Sequence, residues 1–149
     1  VRRAAFPLAI LLAVLTAPPA WAEPLAASKT ASMQQAIEDI TLAAANHDMV
    51  LVKDQPIDAA LKKRGFGDPH VRILFIGSET AVRWAEAADP RLLNLLPLRL
   101  TLVARDEQLT VMTDDFEPWL REFTEEPARR LLKAWQVELR EVLDDFVWQ

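Results

Sequence analysis

The apolar positions of this chain change period several times, and each change marks an element. An opening run over 4–15 is apolar all round and lacks the polar face of a surface helix. From Ser32 the period becomes helical, with Met33, Ile37, Ile40 and Ala44 on one face and Ala36 and Leu42 widening the stripe. Ser32 stands where a hydroxyl N-cap belongs, and Asn46-His47-Asp48 closes the helix. Met49-Val50-Leu51-Val52 is a short strand pattern. Pro56, read as a first helical residue, then introduces a helix over 57–64 that Gly65 stops.

Val71, Ile73 and Phe75 alternate with Arg72, Leu74 and Ile76 ahead of Gly77. That strand is apolar enough to lie inside a sheet, and Ile73 and Phe75 are read as core together with Leu100. Ser78 or Thr80 caps the next helix, whose stripe is Val82 and Ala85 with Trp84 beside it; Asp89-Pro90 opens a turn or short helix. Leu98, Leu100 and Leu102 alternate with Arg99, Thr101 and Val103, Arg105-Asp106-Glu107-Gln108 turns the chain, and Leu109-Thr110-Val111-Met112-Thr113 returns as a hairpin.

Thr124-Glu125-Glu126-Pro127 starts a long amphipathic helix over 126–147, with the acids where the helix dipole favours them and the proline where its missing N–H is harmless. Its apolar face, Leu131, Leu132, Trp135, Leu139, Val142 and Phe146, is too long to stay in water. It must cover the chain's own sheet or form an interface, through Leu131, Trp135, Leu139, Val142 and Phe146, with a second copy. The expected fold is α+β: a small mixed or antiparallel sheet with a hairpin, covered by helices, plus this C-terminal helix.

Composition then changes the picture at the start of the chain. Arg2 and Arg3 precede the apolar run, Pro18-Pro19 follows it, and Ala20-Trp21-Ala22 is an A-x-A site. Charged, apolar and small-residue regions in that order read as a signal peptide over 1–22, cut after Ala22, too short for a stable membrane anchor. Residues 23–31 read as a flexible lead-in or at most one short edge strand, and 32–149 as a single domain. Without the leader, 15 basic residues face 22 acidic ones, a net charge of −7, which argues against nucleic acid as a partner. The chain has no cysteine, so an exported domain must hold together by packing.

Candidate chemistry is sparse. His47 and His70 are the only histidines, and neither has metal-ligand spacing to another residue. His47, at a helix end, reads as a partner for the last carbonyls. Asp68 and His70 precede a strand and Ser78 follows it; these three are the candidate ligand-binding or acid–base residues, although Ser78 is first of all a helix cap. Gly77-Ser78 lacks the further glycines of a nucleophile elbow or phosphate loop. The pairs Asp114-Asp115, Glu125-Glu126 and Asp144-Asp145 read as solvated charge. Trp135 lies on the apolar stripe, while Trp119 and Trp148 lie in less regular contexts where one of them could face a partner or ligand. No catalytic residue, metal ligand set or cofactor is assigned.

Val50-Leu51-Val52-Lys53-Asp54, Ile57-Asp58-Ala59-Ala60-Leu61, Val71-Arg72-Ile73-Leu74-Phe75-Ile76-Gly77 and Leu96-Pro97-Leu98-Arg99-Leu100-Thr101-Leu102-Val103, in that order behind a helix, resemble the bacterial domain of unknown function 302 over residues 36–113. The resemblance implies an α+β fold, often a dimer, and no established activity. Gln55-Pro56 and Ser78-Glu79 stand where that family usually has an Asp-His pair and Gly-Asn-Pro. The functional expectation is a periplasmic or secreted, non-enzymatic binding or interaction domain, whose partner would be a second copy or an envelope protein. The alternatives are a metal-dependent accessory protein or hydrolase using His70, Asp68 and Ser78, or an envelope-assembly protein that acts in a complex.

Overall fold

Ala26–Thr30 (β1), Val50–Pro56 (β2), Val71–Gly77 (β3), Leu98–Arg105 (β4) and Gln108–Thr113 (β5) form one sheet in the order β1-β5-β4-β3-β2, antiparallel throughout. The computed structural model describes residues 25–57, 64–65 and 68–149. The leader over 1–22 and the body of the helix expected over 57–64 lie outside the described residues. Among these, no helix is long and apolar enough to cross a membrane.

Helix α1 (Met33–Asn46) carries the chain from one edge of the sheet to the other, since β1 and β2 are the two edge strands. Ser32 caps it as expected, its Oγ accepting from Gln35 N at 3.1 Å. Segment 23–31 therefore contains the edge strand rather than a free lead-in, and the fold begins ahead of Ser32: Leu25 O already accepts from Thr113 N at 2.9 Å. Pro56 is not a helix start but the last residue of β2, opposite Arg72. A proline is tolerable there because an edge strand need not donate every N–H.

The faces of the sheet are read from the register. Leu74 pairs with Leu100 and Ile76 with Leu98, and Leu102 pairs with Val111; all are buried on the face that carries α1 and α4 (Glu126–Trp148), the latter following the short helix α3 (Glu117–Glu122). Ile73 and Phe75 point the other way, opposite Thr101 and Arg99, and are only half-buried. The core face of β3 is thus the reverse of the expected one, whereas Leu100 is core as expected. Strict two-residue alternation names two faces, but on a strand apolar on both it does not say which one the helices cover.

Helix α4 packs against α1, β1 and α2 (Glu79–Ala88). Leu131, Trp135, Leu139, Val142 and Phe146, the residues expected at an interface, are all buried within the single chain, where they are core. The sheet needs a cover on one face, and this helix supplies it. On α2 the stripe also differs from expectation: Ala85 is buried, Ala81 and Ala88 are half-buried, and Val82 and Trp84 are exposed. Three alanines at four- and three-residue steps let α2 approach α4 closely and turn its larger apolar residues outward.

Candidate functional site

The expected trio of Asp68, His70 and Ser78 is not assembled. Asp68 Oδ1 accepts from His70 N at 3.0 Å, a local turn before β3, and both residues line a shallow recess with Val103 and Arg105. Ser78 follows the other end of β3. Seven strand residues at about 3.3 Å each put it roughly 20 Å away. Its hydroxyl accepts from Ala81 N at 3.1 Å, the N-cap role. Among the described residues no group of three His, Cys, Asp or Glu is placed to hold a metal ion.

The concave surface of interest lies at the Ser78 end. A groove of about 430 Å³ is lined by Val50 and Val52 of β2, Gly77 and Ser78, Glu79 and Val82 of α2, and Leu93, Leu96 and Pro97. Val50, Val52, Val82 and Leu93 are exposed there. The short 3-10 helix Pro90–Leu95, capped by Asp89 Oδ1 accepting from Arg91 N at 2.9 Å, sets the Leu93 wall. The Leu96–Pro97 peptide is cis. Gly77 forms the floor between two walls: a Cβ there would stand 3.5 Å from Pro97 Cβ and 3.8 Å from Val52 Cγ2.

Gly77, Ser78 and Leu96 also line a second, more enclosed cavity of about 170 Å³. Its other walls come from the end of α1 (His47, Asp48, Met49), from Thr80 and Trp84 of α2, and from Trp135 and Glu138 of α4. The end of α1 explains how His47 arrives there. Asp48 adopts a left-handed conformation with φ 56°, Asp48 N donates to Ala45 O at 3.2 Å and Met49 N to Ala44 O at 3.0 Å. Asp tolerates this conformation better than most residues, and the chain turns sharply into β2.

His47 does not serve the helix carbonyls with its side chain. Its Nε2 lies 3.0 Å from Asp145 Oδ2 and its Nδ1 3.5 Å from Glu141 Oε2, so both ring nitrogens face carboxylates of α4. Glu138, Glu141 and Asp145 stand on one face of α4 at steps of three and four. Glu138 makes no hydrogen bond or ion pair among the described residues. Burial pushes its carboxyl above the ordinary carboxylate range, the His47 ring opposes this and Glu141 adds to it. A half-buried carboxylate without a partner is one that gains from meeting a ligand.

Sequence reasoning passed over Trp84, Glu138 and the cavity role of His47. They come from three separate helices and share no short-range spacing, so nothing local signals that they meet. The tryptophans expected in irregular contexts are indeed open, Trp148 at 87% and Trp119 at 39%, but Trp84, at 58%, is the exposed indole on the cavity wall.

This sheet, covered on one face by α1 and α4, with a cleft at the β3–α2 junction, defines a small α+β domain. Over residues 26–146 the chain matches the family described as Domain of unknown function DUF302, and it belongs to that family. The match takes in β1 and nearly all of α4, so the family domain extends beyond residues 36–113 on both sides. A crystal structure of an uncharacterized conserved DUF302 protein from Bacillus stearothermophilus is similar in fold, with a TM-score of 0.70 and 11% identity, covering 80% of this chain and 94% of that one. A comparison with curated proteins finds no match.

Proposed function

We propose that this protein is an exported, non-enzymatic binding domain that takes a small amphipathic molecule at the β3–α2 junction. One observation carries the reading: an open groove walled by the exposed Val50, Val52, Val82 and Leu93 adjoins a cavity of mixed apolar and polar lining, and the two share Gly77, Ser78 and Leu96. Apolar side chains held open along one groove mark a place where an apolar group is received. The adjoining cavity offers the Ser78 and Thr80 hydroxyls and the Glu138 carboxyl to a polar end. Binding rather than catalysis is supported because Ser78 is engaged as a helix cap and His47 has both ring nitrogens against carboxylates.

Export is supported by the order of regions in 1–22 and by the position of Leu25, which already pairs with β5. Cleavage after Ala22 would leave every described contact in place, and the exported protein would begin at Glu23.

The binding reading is tested by titrating hexan-1-ol into the protein and following amide shifts by NMR. Shifts confined to Val50, Val52, Gly77, Val82 and Leu93, lost in Val52→Asp, are the expected result. Val52 is exposed, so this change leaves the fold intact. Shifts scattered over the surface, or unaltered by Val52→Asp, would overturn it.

A further inference from the structure

The enclosed cavity has a charge character of its own. Among the described residues no lysine or arginine lines it, whereas Glu138 and Asp48 do, and Glu141 and Asp145 stand behind His47. His47 sits between those two carboxylates, and its ring eases but does not overcome the burial of the Glu138 carboxyl. Two indoles, Trp84 from α2 and Trp135 from α4, share the cavity with the carboxylate. An anion entering here would meet more carboxylates than the single His47 ring offsets. A neutral polar group would leave Glu138 desolvated without a counter-charge, which is costly. A cation would meet both a carboxylate and aromatic surface, the combination that attracts ammonium groups.

We infer that the polar end of the ligand is an ammonium group, so that the protein selects small amphipathic amines, with Glu138 as the counter-charge and Trp84 as an aromatic wall. This rests on the binding reading above and adds the class of ligand to it. The cavity, at about 170 Å³, is several times the volume of one water, about 30 Å³ in the liquid. That is room for an ammonium head and the carbons next to it, and the adjoining groove offers the alkyl chain an apolar path onward.

The test compares three six-carbon probes: hexan-1-ol, hexylammonium and hexanoate, titrated into the full exported protein by calorimetry or NMR. Hexylammonium should bind about tenfold or more tightly than the alcohol, a difference of about 1.4 kcal/mol, and hexanoate more weakly than both. Glu138→Gln should abolish the preference, so that the variant binds the amine no more tightly than it binds the alcohol. Trp84→Leu, at an exposed position, should weaken the amine more than the alcohol. Equal affinity for amine and alcohol would overturn the ammonium assignment while leaving the groove standing. Failure of all three probes would overturn the binding reading and this inference with it. Tight amine binding that survives Glu138→Gln but is lost in Asp145→Asn would overturn the assignment of Glu138. Thermal melts of each variant verify that it is folded.

Discussion

The ammonium nitrogen of Lys29 lies 2.6 Å from Oδ2 of Asp39, joining the edge strand β1 to α1 across the covered face of the sheet. The same nitrogen stands 4.5 Å from the centroid of the Phe146 ring on α4, and Gln35 Nε2 donates to the other Asp39 oxygen at 2.8 Å. The Lys29 and Asp39 side chains are 16% and 11% exposed, so this pair is largely out of water. Removing one partner from such a pair costs more than the pair contributes, because the other charge is left desolvated.

Lys29→Met should therefore destabilise the protein by about 3 kcal/mol, and the double change Lys29→Met with Asp39→Leu should recover most of that loss. Urea unfolding of the singles and the double measures it. Burial alone would raise the Asp39 carboxyl, but hydrogen bonds from Lys29 and Gln35 and the Lys29 charge hold it below its ordinary value. A folded value below the unfolded one means that the contribution is present above about pH 4 and is lost as pH falls through the folded value. Asp39→Asn should flatten that acid limb. An unchanged acid limb would show that other carboxylates dominate it.

The two faces of β3 give the second prediction. Leu74→Ala should cost roughly 2–5 kcal/mol, as large-to-small changes in a closed core do, because Leu74 is fully buried against Leu100. Ile73→Ala should cost clearly less, since Ile73 is half-buried on the opposite face. Denaturant midpoints of the two variants decide it, and a larger loss at Ile73 would mean that the uncovered face is packed after all.

That reversal shows what was legible in the residues and what was not. The α1 stripe, the Leu98–Arg105 and Gln108–Thr113 hairpin and the long C-terminal helix are written in local periodicity, and Ser32 and Ser78 cap where hydroxyls before apolar runs suggest. The facing of β3 depends on which side α1 and α4 cross, a tertiary fact. Edge strand β1, Ala-Ala-Ser-Lys-Thr, lacks apolar alternation because only Ala27 and Lys29 of it face the helices, and Lys29 is admitted there by Asp39. The cleft was illegible for the same reason: His47, Trp84 and Glu138 meet only because α1, α2 and α4 end or cross at one corner of the sheet.

Glu138 supplies a third prediction, with the opposite sign to Asp39. Burial raises its carboxyl, so the folded state holds the proton more tightly than the unfolded chain does. Stability therefore declines as pH rises from the ordinary carboxylate range through the folded value. Glu138→Gln removes that decline: the variant should match the wild type near about pH 4 and melt higher near about pH 7. Melting curves at the two pH values test it, and a variant that melts lower at neutral pH would mean that Glu138 has a stabilising partner.

The last prediction concerns α4. Trp135, Leu139, Val142, Leu143 and Phe146 are each at most 2% exposed, and they bury themselves in this chain. If the helix were mainly a bridge between copies, these residues would be open in a single chain; instead they are buried where α4 packs on α1, β1 and α2. Deleting 127–149 should then uncover Leu100, Leu102, Leu109 and Val111, leaving protein that is insoluble or that binds hydrophobic dyes without a cooperative thermal transition. The milder change Trp135→Ala should cost roughly 3–5 kcal/mol, a large share of a total stability that is typically about 5–15 kcal/mol. It should do so at every protein concentration, because the lost contacts lie within one chain; a dimer contact would make the loss shrink as concentration rises. A truncated protein that still melts cooperatively at the wild-type temperature would show that the sheet does not depend on this cover.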